Sequence, residues 1–207
     1  MSIHDPDEYL DGAGGDEALR ARRMQDVRDA YRELIRLREQ GVVKAVGIGA
    51  KDWRVVREIV DQVDVDWVML ACSLTVMSHA RELLDWVKKT AARGVAIIDS
   101  ALFHGGFLIG SDHLDYQRVN PAIPAHAAAL VWRERFHAIC QRHAVLPAVV
   151  AVGFARRIPG VVSVALNSTH AARVGDNVAM PTAPIPSAVW HDLRAARLID
   201  PALECLV

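Results

Sequence analysis

Three stretches of this 207-residue chain carry side chains suited to chemistry, and each stands just past a run of strand character. The first is His4-Asp5-Pro6, which with Asp7-Glu8-Tyr9 reads as an active-site loop after the apolar strand stub Met1-Ser2-Ile3. An imidazole at a strand end could orient or protonate a substrate oxygen; a solvated residue near a frayed terminus is the plain alternative. The second runs from Asp99-Ser100-Ala101-Leu102-Phe103-His104 through Gly105-Gly106 to Gly110. Its glycines would let backbone amides approach an anion, so a phosphate cradle and an ordinary turn both fit. It matches neither GxGxxG nor the P-loop spacing. The third is Asn167-Ser168-Thr169-His170, followed by Arg173 and Asn177. Hydroxyls at a helix start read as caps, and the free amides beyond them suit a phosphate. Arg173 and Asn177, four apart, share a helix face: one is a flat cation for stacking, the other an amide for reading a base edge.

Other clusters carry less. His137, Cys140 and His143 fan around a helix instead of converging, so no metal site is expected from them. Ser163 and Ser168 lack a nucleophile-elbow pattern, and no hydrolase triad is readable.

The positioning elements alternate. Glu17 to Gln40 is a predicted helix stopped by Gly41, and Val42 to Gly49 a strand. The two glycines near its end imply that something approaches the backbone closely there. Trp53 to Val63 reads as helix. Trp67 to Cys72 is a continuous apolar run, as expected of a parallel strand buried on both faces. Ser78 could cap a helix that ends at Gly94, and Val95 to Ile98 is the next strand. A long connection, Asp99 to about Ala125, leads to a helix reaching His143, and Pro147 to Gly153 opens a shorter one. Gly160 to Leu166 is the last strand, Thr169 to Val178 the helix after it, and Ser187 to Ala196 the final helix. Such alternation implies parallel βαβ units with right-handed crossovers, hence an open doubly wound sheet or a sector of a barrel.

Composition narrows the functional classes. The chain has 24 basic and 25 acidic residues, a net charge of −1, so no global field invites nucleic acid or an anionic membrane. No apolar run reaches the ~18 residues of a membrane span and no signal peptide is readable. Three cysteines, Cys72, Cys140 and Cys205, show no metal or redox spacing, so a reduced, cytoplasmic protein is expected. A single domain over 1–207 is expected, although the chain is short for a barrel of ~250 residues.

Taken in order, His4-Asp5-Pro6, Val46-Gly47-Ile48-Gly49, Ser100 to Gly106 and Val164-Ala165-Leu166-Asn167-Ser168 with Arg173 and Asn177 resemble the aldo-keto reductase family. The likeness is greatest to its sugar-oxidising branch of L-fucose and D-threo-aldose dehydrogenase-like proteins, and it runs from His4 to Val207. It implies the C-terminal half of a (β/α)8 TIM barrel: strands five to eight with their helices and a tail helix, with His4 closing strand four. It implies NAD(P)-linked oxidation of an aldose or reduction of an aldehyde. His4 would be the catalytic histidine that orients the substrate oxygen. Ser100, Leu102, His104, Gly105 and Gly106 would lie along the nicotinamide and pyrophosphate, Asn167 and Ser168 at the adenosine ribose, and Arg173 and Asn177 on adenine.

The departures also carry expectations. The family's tyrosine acid and its lysine and aspartate partners would precede His4, and Tyr9, Tyr31 and Tyr116 do not match that tyrosine. Gly49-Ala50 replaces a common Ser-Asn pair. Asn167 stands where NADP-preferring members often carry lysine, which tilts the choice towards NAD. Impaired activity, or a non-catalytic dinucleotide-binding or assembly module, follows. So does a homo-oligomer or association through the open barrel face.

Overall fold

Five short strands join into one parallel sheet in this computed structural model, which describes residues 1–203 and 206. They are β1 (Ser2–His4), β2 (Gly47–Ala50), β3 (Trp67–Ala71), β4 (Ala96–Ser100) and β7 (Val161–Ala165), and they lie side by side in chain order. A doubly wound sheet reverses its order part-way; this one does not, so successive crossovers run one way across the sheet. Between the strands lie α1 (Pro6–Asp11), α2 (Glu17–Glu39), α3 (Trp53–Val60) and α4 (Arg81–Ala92). The hairpin β5 (His113–Leu114) and β6 (Gln117–Arg118) follows β4, then α5 (Pro124–Arg142) and α6 (Pro147–Arg157). After β7 come α7 (Val174–Ala179) and α8 (Ser187–Ala195). No single described helix is long and apolar enough to cross a membrane.

Period-2 alternation divides the sheet into two unlike faces. Ile48, Val68, Leu70 and Ile97 are fully buried among residues of the helices, including Tyr31, Val56, Ile59, Leu83 and Val87. Their strand neighbours Trp67, Met69, Ala71, Ala96 and Ile98 are only half-buried. The apolar run of β3 is therefore not covered on both faces as expected: its burial alternates, and its second face awaits cover. The glycine expectation holds. A Cβ on Gly47 would sit 2.1 Å from the Trp67 indole, and one on Gly49 would meet the His4 ring at 3.4 Å.

Several boundaries differ for local reasons. The first strand is the edge strand Ser2–His4, with only Ile3 half-buried, and Asp5 opens the helix α1 where a loop was expected. Residues 42–44 are bends and 45–46 irregular, and the Val46 amide is captured by the Asp66 carboxylate at 2.7 Å before β2 begins. Ser78 caps nothing: Ala80 precedes α4, and the Ser78 amide donates to Thr75 Oγ1. The hydroxyls of Ser168 and Thr169 do not cap α7 either, since a 3₁₀ turn over Ala171–Arg173 intervenes. Cys205 lies outside the described residues.

Candidate active site

The strands of a parallel sheet end together, and register sets which side chains share a level. His4, Gly49, Met69, Ile98 and Ser163 are successive partners across the sheet, with Ala71, Ser100 and Ala165 one step nearer the C-terminal rim. His4 therefore lies on the half-covered face. Its side chain is 78% exposed, with Nε2 3.4 Å from Asp5. A three-residue strand holds it because three further contacts pin the segment. The terminal ammonium donates to Ala45 O at 2.7 Å, and the Asp5 amide to Gly49 O at 2.8 Å. Asp7, buried on α1, accepts the amides of Lys51 and Asp52 at 3.1 and 2.8 Å. Asp7 gave no signal in the sequence; only folding brings its carboxylate to a turn 44 residues away.

The segment after β4 is wired inward. Ser100 Oγ donates to Leu70 O at 3.0 Å, and Leu102 is buried against Val152 and Ala155. His104 is almost fully buried, and donor counting fixes its tautomer. Thr75 Oγ1 already accepts the amides of Met77 and Ser78, so its hydroxyl donates to His104 Nε2 at 2.7 Å. Nδ1 then carries the proton and donates to Asp115, 2.9 Å away. Burial works to raise the Asp115 carboxyl, but hydrogen bonds from His104 and Cys72 and the charge of Lys51 hold it below its usual range. Burial, then the Asp115 contact, pushes the Cys72 thiol well up. Both ring nitrogens of the His104 side chain thus tie this loop to its neighbours. Gly105 and Gly106, both with left-handed φ, face Asp115-Tyr116 and Ser111 of the following segment. An approach within the chain accounts for both glycines. Asp99, facing the helices, is completely buried and neither oxygen has a hydrogen-bond partner; burial raises its carboxyl well above the ordinary range.

Beyond β7, Ser168 and Asn177 line one groove of about 300 Å³ with Val164, Leu166, Val174, Val178 and Pro181. Asn177 Nδ2 donates to Asn167 O at 3.5 Å, a long bond, and Arg173 is exposed on the adjoining 3₁₀ turn. The groove is apolar with two polar groups on its wall, the usual character of a small planar-ligand site. His137 and His143 do not converge on Cys140: the first bonds Leu108 O and the second Asp192, while Cys140 is buried.

The Aldo/keto reductase family model matches residues 1–197. This chain is a member of the aldo/keto reductase family. Two curated relatives agree. Pyridoxal 4-dehydrogenase of Microbacterium luteolum is 27% identical over 174 residues, covering 82% of this chain and 49% of the relative. D-threo-aldose 1-dehydrogenase of a Pseudomonas species is 28% identical over 205 residues, covering 96% and 56%. This aldo/keto reductase chain thus spans about half the length of the curated relatives it matches. Among solved structures, the apo form of aldo-keto reductase AKR11C1 from Bacillus halodurans superposes with a TM-score of 0.59 at 17% identity, covering 97% of this chain and 71% of that one. Its holo form gives 0.57 at 17%, covering 84% and 53%. These structures share the fold.

Proposed function

We propose that this chain serves an NAD(P)-linked oxidation of an aldose, or reduction of an aldehyde, as the share of an aldo/keto reductase barrel that runs from the histidine at the end of strand four to the adenine side of the cofactor site. The observation that carries this is the groove beyond β7. Ser168 and Asn177, assigned by resemblance to opposite sides of an adenosine, line it together, at the same sheet end as His4. Its walls fit an adenine: apolar side chains for the ring faces, the Asn177 amide for an edge, and the exposed Arg173 guanidinium beside it. Asn167 and Ser168 would meet the ribose. With asparagine instead of lysine at 167, discrimination against NAD should be weak.

A bound nicotinamide would supply or accept hydride. What this chain adds at the reacting end is His4, held on the half-covered face and free to hydrogen-bond a substrate oxygen. Charge that develops on that oxygen needs a proton donor. Among the described tyrosines, Tyr31 is buried with its hydroxyl on Gly47 O, Tyr9 is tied to Asp26, and Tyr116 lies beside Lys51 on the hairpin. We therefore assign that donor to none of these three tyrosines. The five-strand sheet in sequential order, with half-exposed Trp67, Met69 and Ile98 on one face, supports the barrel-sector part of this reading.

The same half-covered face favours a second reading, a dinucleotide-binding module that pairs with a partner chain and does not turn over. Steady-state assays separate them from an intact enzyme. The purified chain with NAD or NADP and L-fucose, D-arabinose or an aromatic aldehyde should show no turnover above buffer. Turnover that is lost in His4→Ala would overturn the assignment of the donor.

A further inference from the structure

We propose that Cys72, His104 and Asp115 form a three-ligand site for a thiophilic divalent cation of the zinc class. The three residues come from the turn after β3, the loop after β4 and the turn of the β5–β6 hairpin. Their ligand atoms, one sulfur, one ring nitrogen and one carboxylate oxygen, lie within 4.8 Å of one another.

Their backbones share an unusual feature. Cys72, His104 and Asp115 have φ of 61°, 49° and 45°, in the left-handed region that residues with a Cβ avoid. Non-glycine residues in that region are uncommon, and they cluster where a structure holds side chains for a task. Here three of them direct three different ligand types at one point.

The chemistry selects the ion. Thiolate, imidazole and carboxylate together suit zinc, whereas calcium and magnesium take oxygen ligands. Three protein ligands leave a fourth position for water. Thr75 holds the far ring nitrogen at 2.7 Å, the place where a metal-binding histidine has its orienting partner. A thiolate and a carboxylate together balance the charge of a dication. On binding, the thiol proton leaves to solvent, and the ring proton moves from Nδ1 to Nε2, where Thr75 Oγ1 accepts it. The Met77 amide bond to the same oxygen, at 3.2 Å the longest of its three, is the one to give way. Lys51 is the cation beside both Cys72 and Asp115, and its ammonium is drawn off by ion pairing to Glu8.

A nucleophilic thiol is the competing use of these residues. It needs a base facing the sulfur, and in the metal-free chain Nδ1 of His104 carries a proton that it gives to Asp115, so it has no lone pair to offer the thiol. Cys72 instead has the Asp115 carboxylate as its neighbour.

The test uses the full chain, stripped with a chelator and titrated with Co²⁺. One equivalent should produce thiolate-to-cobalt charge-transfer absorption, and Zn²⁺ should displace it. Cys72→Ser, a near-isosteric change at a half-buried position, should abolish the band and weaken Zn²⁺ at least tenfold; Asp115→Asn should weaken it similarly. As a check that needs no variant, saturating Zn²⁺ should slow alkylation of Cys72, read by peptide mass. Absence of the band, its persistence in Cys72→Ser, or unchanged Cys72 labelling under Zn²⁺ would each overturn the site.

Discussion

Replacing Asp99 by asparagine should stabilise this protein progressively as pH rises. Asp99 is on the helix-facing side of β4, in register with Leu70 and Val164, with no exposed surface. The Ser100 amide is near enough to favour the charged form a little, yet no donor satisfies either oxygen. Burial dominates, and the folded carboxyl titrates well above its ordinary 3.8. The folded state therefore holds a proton that the unfolded chain has released, and stability falls as pH climbs from about 4 towards the folded pKa. Each pH unit in that window costs about 1.4 kcal/mol. Asparagine removes this term. Urea unfolding of wild type and Asp99→Asn at pH 4, 5.5 and 7 gives the difference directly. That difference should move in favour of the variant by about 1.4 kcal/mol per unit until the folded pKa is passed. A difference independent of pH would refute the reasoning, because it would mean that Asp99 titrates alike in both states.

Two further outcomes concern the elements around the site. Asp7→Ala strips the Lys51 and Asp52 amides of their acceptor and should lower stability by about 1–3 kcal/mol, with Asp7→Asn costing less; a urea midpoint unchanged in Asp7→Ala would contradict the clamp. The outer edges of β1 and β7 pair with no other described strand, and Trp67, Met69 and Ile98 are half-exposed between them. Open edges and apolar patches drive association, so light scattering at micromolar concentration should find a dimer or larger species, and a cooperative monomer would contradict this.

Much of the fold was legible because its signals are local. Parallel strands announce themselves as short apolar runs such as Trp67 to Ala71, and helix ends as glycines such as Gly41 and Gly94, both with left-handed φ. Gly47 and Gly49 were readable as points of close approach, though not what approached: the Trp67 indole and the His4 ring. What stayed hidden depends on tertiary placement. Pro6 to Asp11 looked like loop, yet it is a helix whose Asp7 reaches a turn distant in sequence. Ser78 and the Ser168-Thr169 pair carried a cap's residue types, but α4 begins behind Ala80 with no side-chain cap, and a 3₁₀ turn separates the pair from α7. The Thr75 and Asp115 bonds that hold the His104 ring join positions 29 and 11 residues away, beyond the reach of any local pattern. For the same reason no spacing rule could have grouped Cys72, His104 and Asp115.

The central claim, a dinucleotide site built on the groove beyond β7, is tested most directly by calorimetric titration of the purified chain with NAD and NADP. Both should bind at one site, within about tenfold of each other, because the charge-assisted phosphate contact of ~1.5–3 kcal/mol that a lysine at 167 would supply is missing. Asn177→Ala, at a half-buried position, and Arg173→Ala, at an exposed one, should each weaken the two dinucleotides together without altering the fold. Saturable binding of either dinucleotide that is untouched by both substitutions, or no binding at all, would contradict the account.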